Sequence, residues 1–147
     1  MHQVNIDSQH YLFKFKKDFC NVLNAFAKIF NYQKQLIVDV LITDDLAMQA
    51  ISKSSRQIDK TTDVLSFPFA FNDDNLPFIH LGEIILSYEQ IQKQAKAFNH
   101  SIRREFCFLF AHGLVHLQGL DHKINQQEEL KFNQFVYNIM ELTKIGR

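Results

Sequence analysis

Three histidines towards the end of the chain have the residue type and the spacing of metal ligands: His112, His116 and His122, in the pattern H-x-x-x-H-x-x-G-x-x-H. Residues four apart return to nearly the same face of an α-helix, so the rings of His112 and His116 can reach one ion if this segment is helical. Gly119 can adopt the left-handed conformation that ends a helix, which would return His122 to the same ion. The spacing therefore predicts one transition-metal ion, zinc by preference, on three imidazoles.

The number of ligands indicates what the metal does. Three nitrogen ligands are the usual set for a catalytic zinc, whose fourth position holds water, whereas a structural zinc has four protein ligands. The nearby thiol, Cys107, precedes His112 by five residues and would point about 140° away around the helix. The sequence thus favours an open, hydrolytic site over a structural one.

The residue after the first histidine bears on the substrate. Metzincin peptidases share this histidine spacing, and in them a glutamate at that position is the general base. Here the position is Gly113. The missing base argues against proteolysis.

The segment 112–122, HGLVHLQGLDH, resembles the H-G-x-x-H-L-x-G-Y-D-H signature of the bacterial YbeY family of endoribonucleases. Upstream, Arg56, Asp59 and the segment 62–68 resemble that family's R-x-x-D-x-x-T-D-V-L-S-F-P, and 81–84 resembles its L-G-D/E-I strand. These motifs follow one another in the family's order over residues 56–122.

The resemblance implies a zinc-dependent, single-strand-specific endoribonuclease that acts at the 3′ end of small-subunit ribosomal RNA and in ribosome quality control. Its implied partners are ribosomal RNA precursors, the small ribosomal subunit and assembly factors, with no membrane. It also implies a single α/β domain with a cleft lined by the histidines and Arg56.

The resemblance also suggests roles for four other residues. Arg56 is the expected catalytic residue, because its guanidinium can hold a phosphate oxygen in the transition state; its alternative is a salt bridge with Asp59. Asp121 is expected to orient a ligand imidazole or to stabilise a turn. Ser66 and Asp63 are expected to contact substrate or to make structural hydrogen bonds.

Two rival functions stay open: a metal hydrolase of another substrate, such as a peptide, and a non-catalytic ribosome-assembly factor with a structural zinc. The nucleophile of an RNA-cleaving site also stays open, between a metal hydroxide and the RNA's own 2′-hydroxyl. His80 and His100 are expected to lie outside the site.

The elements that must position these residues form a mixed α/β fold. Periodicity predicts one domain over residues 1–147, with a small mixed sheet of three to four strands packed with about five helices. The expected helices are 10–30, 44–54, 88–98, 102–118 and 126–143, and the expected strands are 36–42, 63–67 and 81–87, with the last two antiparallel. Ser87 and Ser101 are the expected N-caps of the helices that follow them.

Composition narrows the class of protein. The 147 residues carry 16 basic and 16 acidic side chains, which argues against a broadly basic nucleic-acid binder and leaves only local basic runs. Two cysteines are too few for a disulfide scaffold, and neither a signal peptide nor an apolar run long enough to cross a membrane is visible, so we expect a cytoplasmic protein. Fifteen phenylalanines and no tryptophan predict a Phe-rich core.

Overall fold

A computed structural model describes residues 1–56, 63–120 and 125–145, and the side chains of residues 55 and 56 are outside the description. Its elements, in chain order, are β1 (Gln3–Asp7), α1 (Lys16–Ile29), β2 (Gln35–Thr43), α2 (Asp45–Arg56), β3 (Val64–Pro68), β4 (Phe78–Ser87), α3 (Tyr88–Ala97), α4 (Ile102–Leu117) and α5 (Gln126–Thr143). Five helices and four strands among these residues confirm the predicted α/β class. No helix in the described ranges is long and apolar enough to cross a membrane.

The sheet is mixed, with the strand order β1-β2-β4-β3. β2 pairs with β1 and β4 in parallel, and β3 pairs with β4 antiparallel, as expected for that pair. β1 was not predicted, because QVNID is short and lacks a continuous apolar pattern. Pro68 is the last residue of β3, which is an edge strand, and this is where a proline without an amide proton is tolerated.

Gly82 of β4 allows this strand to approach the end of β3 closely. The register between β2 and β4 shifts by one residue before it, and its φ is +142°. A Cβ at this position would lie 2.2 Å from the carbonyl oxygen of Phe67 and 2.9 Å from Cα of Pro68. The glycine of the 81–84 motif is therefore required by the backbone.

One face of the sheet carries the main core, and it is rich in phenylalanine as predicted. α1 and α4 pack on this face, and α5 packs against these two helices. The largest fully buried side chains include Phe19, Phe26, Phe106, Phe110 and Phe132. The rings of Phe19 and Phe110 stack with their centroids 4.2 Å apart. This stack joins α1 to α4, the helix that carries two of the predicted ligands.

Among the described residues, far fewer buried apolar side chains cover the opposite face of the sheet. A separate cluster of Met48, Leu65 and Ile85 lies there, with Leu41 and Ile51 packed against it. Met48 and Ile51 come from α2, so this cluster packs α2 against the sheet. The two faces therefore differ greatly in apolar support.

The first predicted helix is shorter than expected, since α1 begins at Lys16 rather than at residue 10. The apolar residues before it pack without helical structure: Tyr11 stacks on Tyr88 with centroids 4.6 Å apart, and Phe13 packs edge-on against Phe106. Periodicity detected the burial of these residues and not their backbone conformation. Both predicted caps are confirmed, because the hydroxyls of Ser87 and Ser101 accept hydrogen bonds from the amides of Gln90 and Arg104.

Candidate metal centre

α4 brings two of the three predicted ligands together. The rings of His112 and His116 lie side by side with their centroids 5.0 Å apart, and both side chains are half-buried. One turn of helix separates them, which is why they share a face. Two imidazoles this close can offer nitrogens to a single ion.

Phe132 of α5 lies behind this pair. Its ring centroid is 4.8 Å from that of His112 and 4.8 Å from that of His116. A fully buried aromatic ring against both imidazoles limits their rotation and keeps water from one side of them. The sequence analysis missed this residue, because no spacing rule relates a phenylalanine on one helix to histidines on another.

The chain turns immediately after the second histidine. Gly119 has a φ of +95°, and its amide donates to the carbonyl oxygen of His116 at 2.9 Å, just beyond the last residue of α4. The predicted left-handed glycine at the helix end is therefore confirmed. The other predicted residues of this turn, His122 and Asp121, lie outside the described residues. Within the described residues, no three His, Cys, Asp or Glu side chains converge as a ligand set, so the third ligand stays a prediction.

Gly113 faces the sheet. A Cβ at this position would lie 3.0 to 3.2 Å from three side-chain carbons of Ile84 on β4. Any side chain here would start against the sheet, with its Cβ closer to Ile84 than most Cβ atoms lie to their neighbours. The glycine thus lets α4 lie close to β4.

Ser66 and Asp63 both make structural hydrogen bonds. The Ser66 hydroxyl donates to the carbonyl oxygen of Gly113 at 3.3 Å and links β3 to α4 behind the histidine pair. The Asp63 carboxylate accepts from the side-chain amide of Gln94 at 2.9 Å, and its carbonyl oxygen accepts from the amide of Ser87. Structural hydrogen bonds are therefore present at both residues, and a contact of either with substrate stays a prediction.

Arg56, the predicted catalytic residue, is the last residue of α2. It therefore ends the helix that packs on the cluster of Met48, Leu65 and Ile85. Its side chain and its suggested partner Asp59 lie outside the described parts of the chain.

His80, His100 and the Cys107 thiol have other partners or surroundings than the His112–His116 pair. Nε2 of His80 lies 3.0 Å from the Asp39 carboxylate, and Nδ1 of His100 lies 3.5 Å from that of Glu105. Burial raises the pKa of Glu105, with partial compensation by His100. Cys107 is fully buried, and desolvation raises the pKa of its thiol to about 12, so it stays protonated at neutral pH.

A groove runs between α4 and α5 from the first histidine. It has a volume of about 440 Å³, and its walls include Phe108 and His112 from α4 and Tyr137 from α5. The sequence analysis did not anticipate it, because a groove between two helices depends on their packing.

Comparison with known proteins gives a consistent result. Residues 3–144 match the family model described as Endoribonuclease YbeY. A protein named Endoribonuclease YbeY from Mycoplasmopsis pulmonis is 44% identical, with both chains covered in full. One of the same name from Mycoplasma mobile is also 44% identical, over 94% of this chain and 91% of the relative. A solution structure from Thermotoga maritima shares the fold with a TM-score of 0.56 and 22% identity, covering 94% of this chain and 89% of that one.

Proposed function

The chain belongs to the YbeY endoribonuclease family, and from that membership we propose that it is a zinc-dependent endoribonuclease that cleaves single-stranded precursors of small-subunit ribosomal RNA. The observation that carries the metal part of this proposal is the side-by-side placement of His112 and His116 on α4. The part played by RNA rests on the family, whose members are named as endoribonucleases. Action in ribosome quality control, with the small subunit and assembly factors as partners, is part of the same proposal.

The residues of this centre fit a zinc ion. Imidazole nitrogen is a preferred zinc donor, and two such rings lie 5.0 Å apart between centroids on one helix face. The turn at Gly119 ends α4 three residues before His122, the proposed third ligand. A zinc ion bound there would supply Lewis acidity towards a phosphate oxygen and a water molecule.

The chain's own groups would position the RNA. Arg56 offers a planar, permanently charged fork that binds two oxygens of one phosphate and stabilises the charge that accumulates as the bond breaks. Phe132 and the half-buried setting of the histidines exclude bulk water from one side of the centre, which strengthens charge interactions there.

Peptide hydrolysis is disfavoured by Gly113. The metzincin base would stand at this position, yet a side chain here would begin within 3.0 to 3.2 Å of Ile84 on the sheet. Peptidase chemistry would then need a base from another element.

A structural zinc with four protein ligands is disfavoured by Cys107. A ligating thiol has to reach the ion, and Cys107 precedes His112 by five residues, which places it about 140° away around α4. The side chain is also fully buried in the main core, among residues that pack α4 against α1 and the sheet.

The test measures zinc content and RNA cleavage on the same preparations. We expect wild-type protein to retain about one zinc per chain and to cut single-stranded ribosomal RNA precursors. His116→Ala should lose both the zinc and the cleavage. Arg56→Ala should keep the zinc and lose most cleavage, and Arg56→Lys should also be impaired, because a point charge does not replace a fork. The matched control is His10→Ala, which removes an exposed histidine far from α4 in the sequence.

Two results would contradict the proposal. Stoichiometric zinc in His116→Ala would refute the assignment of the zinc site to the histidines. Zinc-loaded wild-type protein that leaves single-stranded RNA intact would favour the non-catalytic assembly factor instead.

A further inference from the structure

The groove between α4 and α5 is continuous with the metal centre. On α4 it is lined by Arg104, Phe108 and His112, which are spaced four residues apart and form one stripe on the helix. Eight residues of helix advance about 12 Å, so the groove leads away from the histidines for roughly that distance. Any strand that has a phosphate at His112 can thus place neighbouring groups in the groove.

Two aromatic rings are exposed along this groove. Phe108 is 38% exposed and Tyr137, on the α5 side, is 59% exposed. Val136 and Met140 also line it, and both are buried at 5% exposure or less. Exposed rings beside an apolar floor are the surface on which unpaired nucleobases stack in proteins that bind single strands.

The polar groups of the groove suit the edge of a base better than a phosphate. Among the described residues that line it, the charged side chains are Arg104 and Glu141, and these two together offer no net positive charge to attract a phosphate. Asn133 adds an amide, which both donates and accepts hydrogen bonds. Base edges also present donors and acceptors side by side, so this mixed set matches them.

One of these polar atoms lacks an acceptor. Nη1 of Arg104 donates to the carbonyl oxygen of Ile145 at 2.9 Å, whereas its Nε is buried and has no hydrogen-bond partner within the described part of the chain. A buried donor without an acceptor is costly, and the Nη1 contact with Ile145 is a hydrogen bond that holds this side chain beside the groove.

We propose that the α4–α5 groove is a nucleobase subsite: it takes one unpaired base of the RNA strand that is cut at the histidines, stacked on Phe108 or Tyr137. The subsite rests on the proposed RNA-cleaving function. It specifies where the strand is bound next to the bond that is cut. Stacking is tolerant of base identity, so this subsite would favour single strands over duplexes without selecting a sequence.

The test measures equilibrium binding of a short, fluorescently labelled single-stranded RNA by anisotropy, with gels to verify that the probe is intact. At least one of Phe108→Ala and Tyr137→Ala should weaken binding about tenfold, the size expected for loss of one base stack. Tyr137→Phe keeps the ring and should bind like wild type. Leu142→Ala is the matched control, because Leu142 is also an exposed residue of α5, 48% exposed, but lines a different surface pocket. All four variants should retain zinc.

A second measurement assigns the effect to a base. Probes with a single abasic nucleotide at successive positions should show one position near the cut at which wild-type protein loses about tenfold in affinity. In the Phe108→Ala, Tyr137→Ala double variant, that loss should disappear, since the base and the rings are then no longer coupled.

The outcomes separate this subsite from the function on which it rests. If wild-type protein binds and cuts RNA while both alanine variants bind equally well, the subsite is refuted and the nuclease stands. If abasic positions cost the double variant as much as wild type, the rings do not stack on a base. If wild-type protein binds no RNA, the proposed function fails and the subsite fails with it.

Discussion

The two faces of the sheet support two different parts of the proposed site, and they do so unequally. On one face, α1, α4 and α5 bury the main Phe-rich core, and α4 carries His112 and His116. On the other face, α2 packs on a cluster that contains three buried residues within the described ranges, and the helix ends at Arg56. We therefore expect the proposed metal ligands to lie on the more rigid side of the molecule and Arg56, the proposed phosphate-binding residue, on the less strongly packed side.

The hydrogen bonds of α2 reinforce this difference. The carboxylate of Asp45, its first residue, accepts from the Ser87 hydroxyl at 2.5 Å and from the Gln90 side chain at 3.1 Å. The amide of Asp45 donates to Glu89 at 2.8 Å. These polar contacts hold the beginning of α2, eleven residues before Arg56, and the apolar cluster packs against Met48 and Ile51 further along the helix.

The strongest test of the comparison removes a ring from the main core. Phe110 is fully buried and stacks on Phe19 at 4.2 Å, so Phe110→Ala should lower the free energy of unfolding by about 3–5 kcal/mol. It should also reduce zinc retention, because α4 loses its packing two residues before His112. Urea unfolding and zinc content measure the two effects. Full zinc retention in a strongly destabilised variant would show that the histidines do not depend on this core.

A smaller effect is expected on the opposite face. Met48 is fully buried in the three-residue cluster, and Met48→Ala should cost about 2 kcal/mol, at the low end for such truncations because half-buried neighbours can move into the space. Zinc should stay bound, while RNA cleavage should fall part of the way towards the loss caused by Arg56→Ala. Equal loss of zinc in Met48→Ala and Phe110→Ala would mean that both faces support the histidines equally. The proposed difference between the faces would then be wrong.

Much of the fold could be predicted from the sequence because its signals are local. Ser87 and Ser101 cap the helices they were expected to cap, and Gly119 ends α4 in the left-handed region. The pairing of β3 with β4 followed from two short apolar runs on either side of a turn. Each of these features is decided by neighbouring residues in the chain.

What the sequence could not provide is decided by packing between distant elements. β1 pairs with β2 across more than thirty residues, and QVNID carries little apolar pattern of its own. Phe132 lies against the histidines because α5 packs on α4, which no spacing rule reveals. The reason for Gly113 also appeared only with Ile84 beside it, although its identity had already argued against a peptidase.

The smallest expected effect comes from an ion pair on the rigid face. Two nitrogens of Arg103 on α4 contact the two carboxylate oxygens of Asp18 on α1, at 2.7 and 2.9 Å. This hydrogen-bonded pairing lowers the pKa of Asp18. Because the folded pKa lies below the unfolded one, the pair contributes its stability above the ordinary pKa of aspartate, about 3.9, and loses it as the pH falls through the folded pKa.

Asp18→Asn should therefore lower the free energy of unfolding by about 0.5–1 kcal/mol at neutral pH, a modest value since Arg103 is half exposed. The gap to wild type should close in acid, as urea unfolding at several pH values would measure, and Asp74→Asn in an exposed loop serves as the control. Zinc content and cleavage should not change, because the Phe19–Phe110 stack holds α1 to α4 without the pair. Loss of zinc in this variant would show that a surface ion pair, and not the core, holds the histidine helix in position. The difference proposed between the two faces would then be refuted.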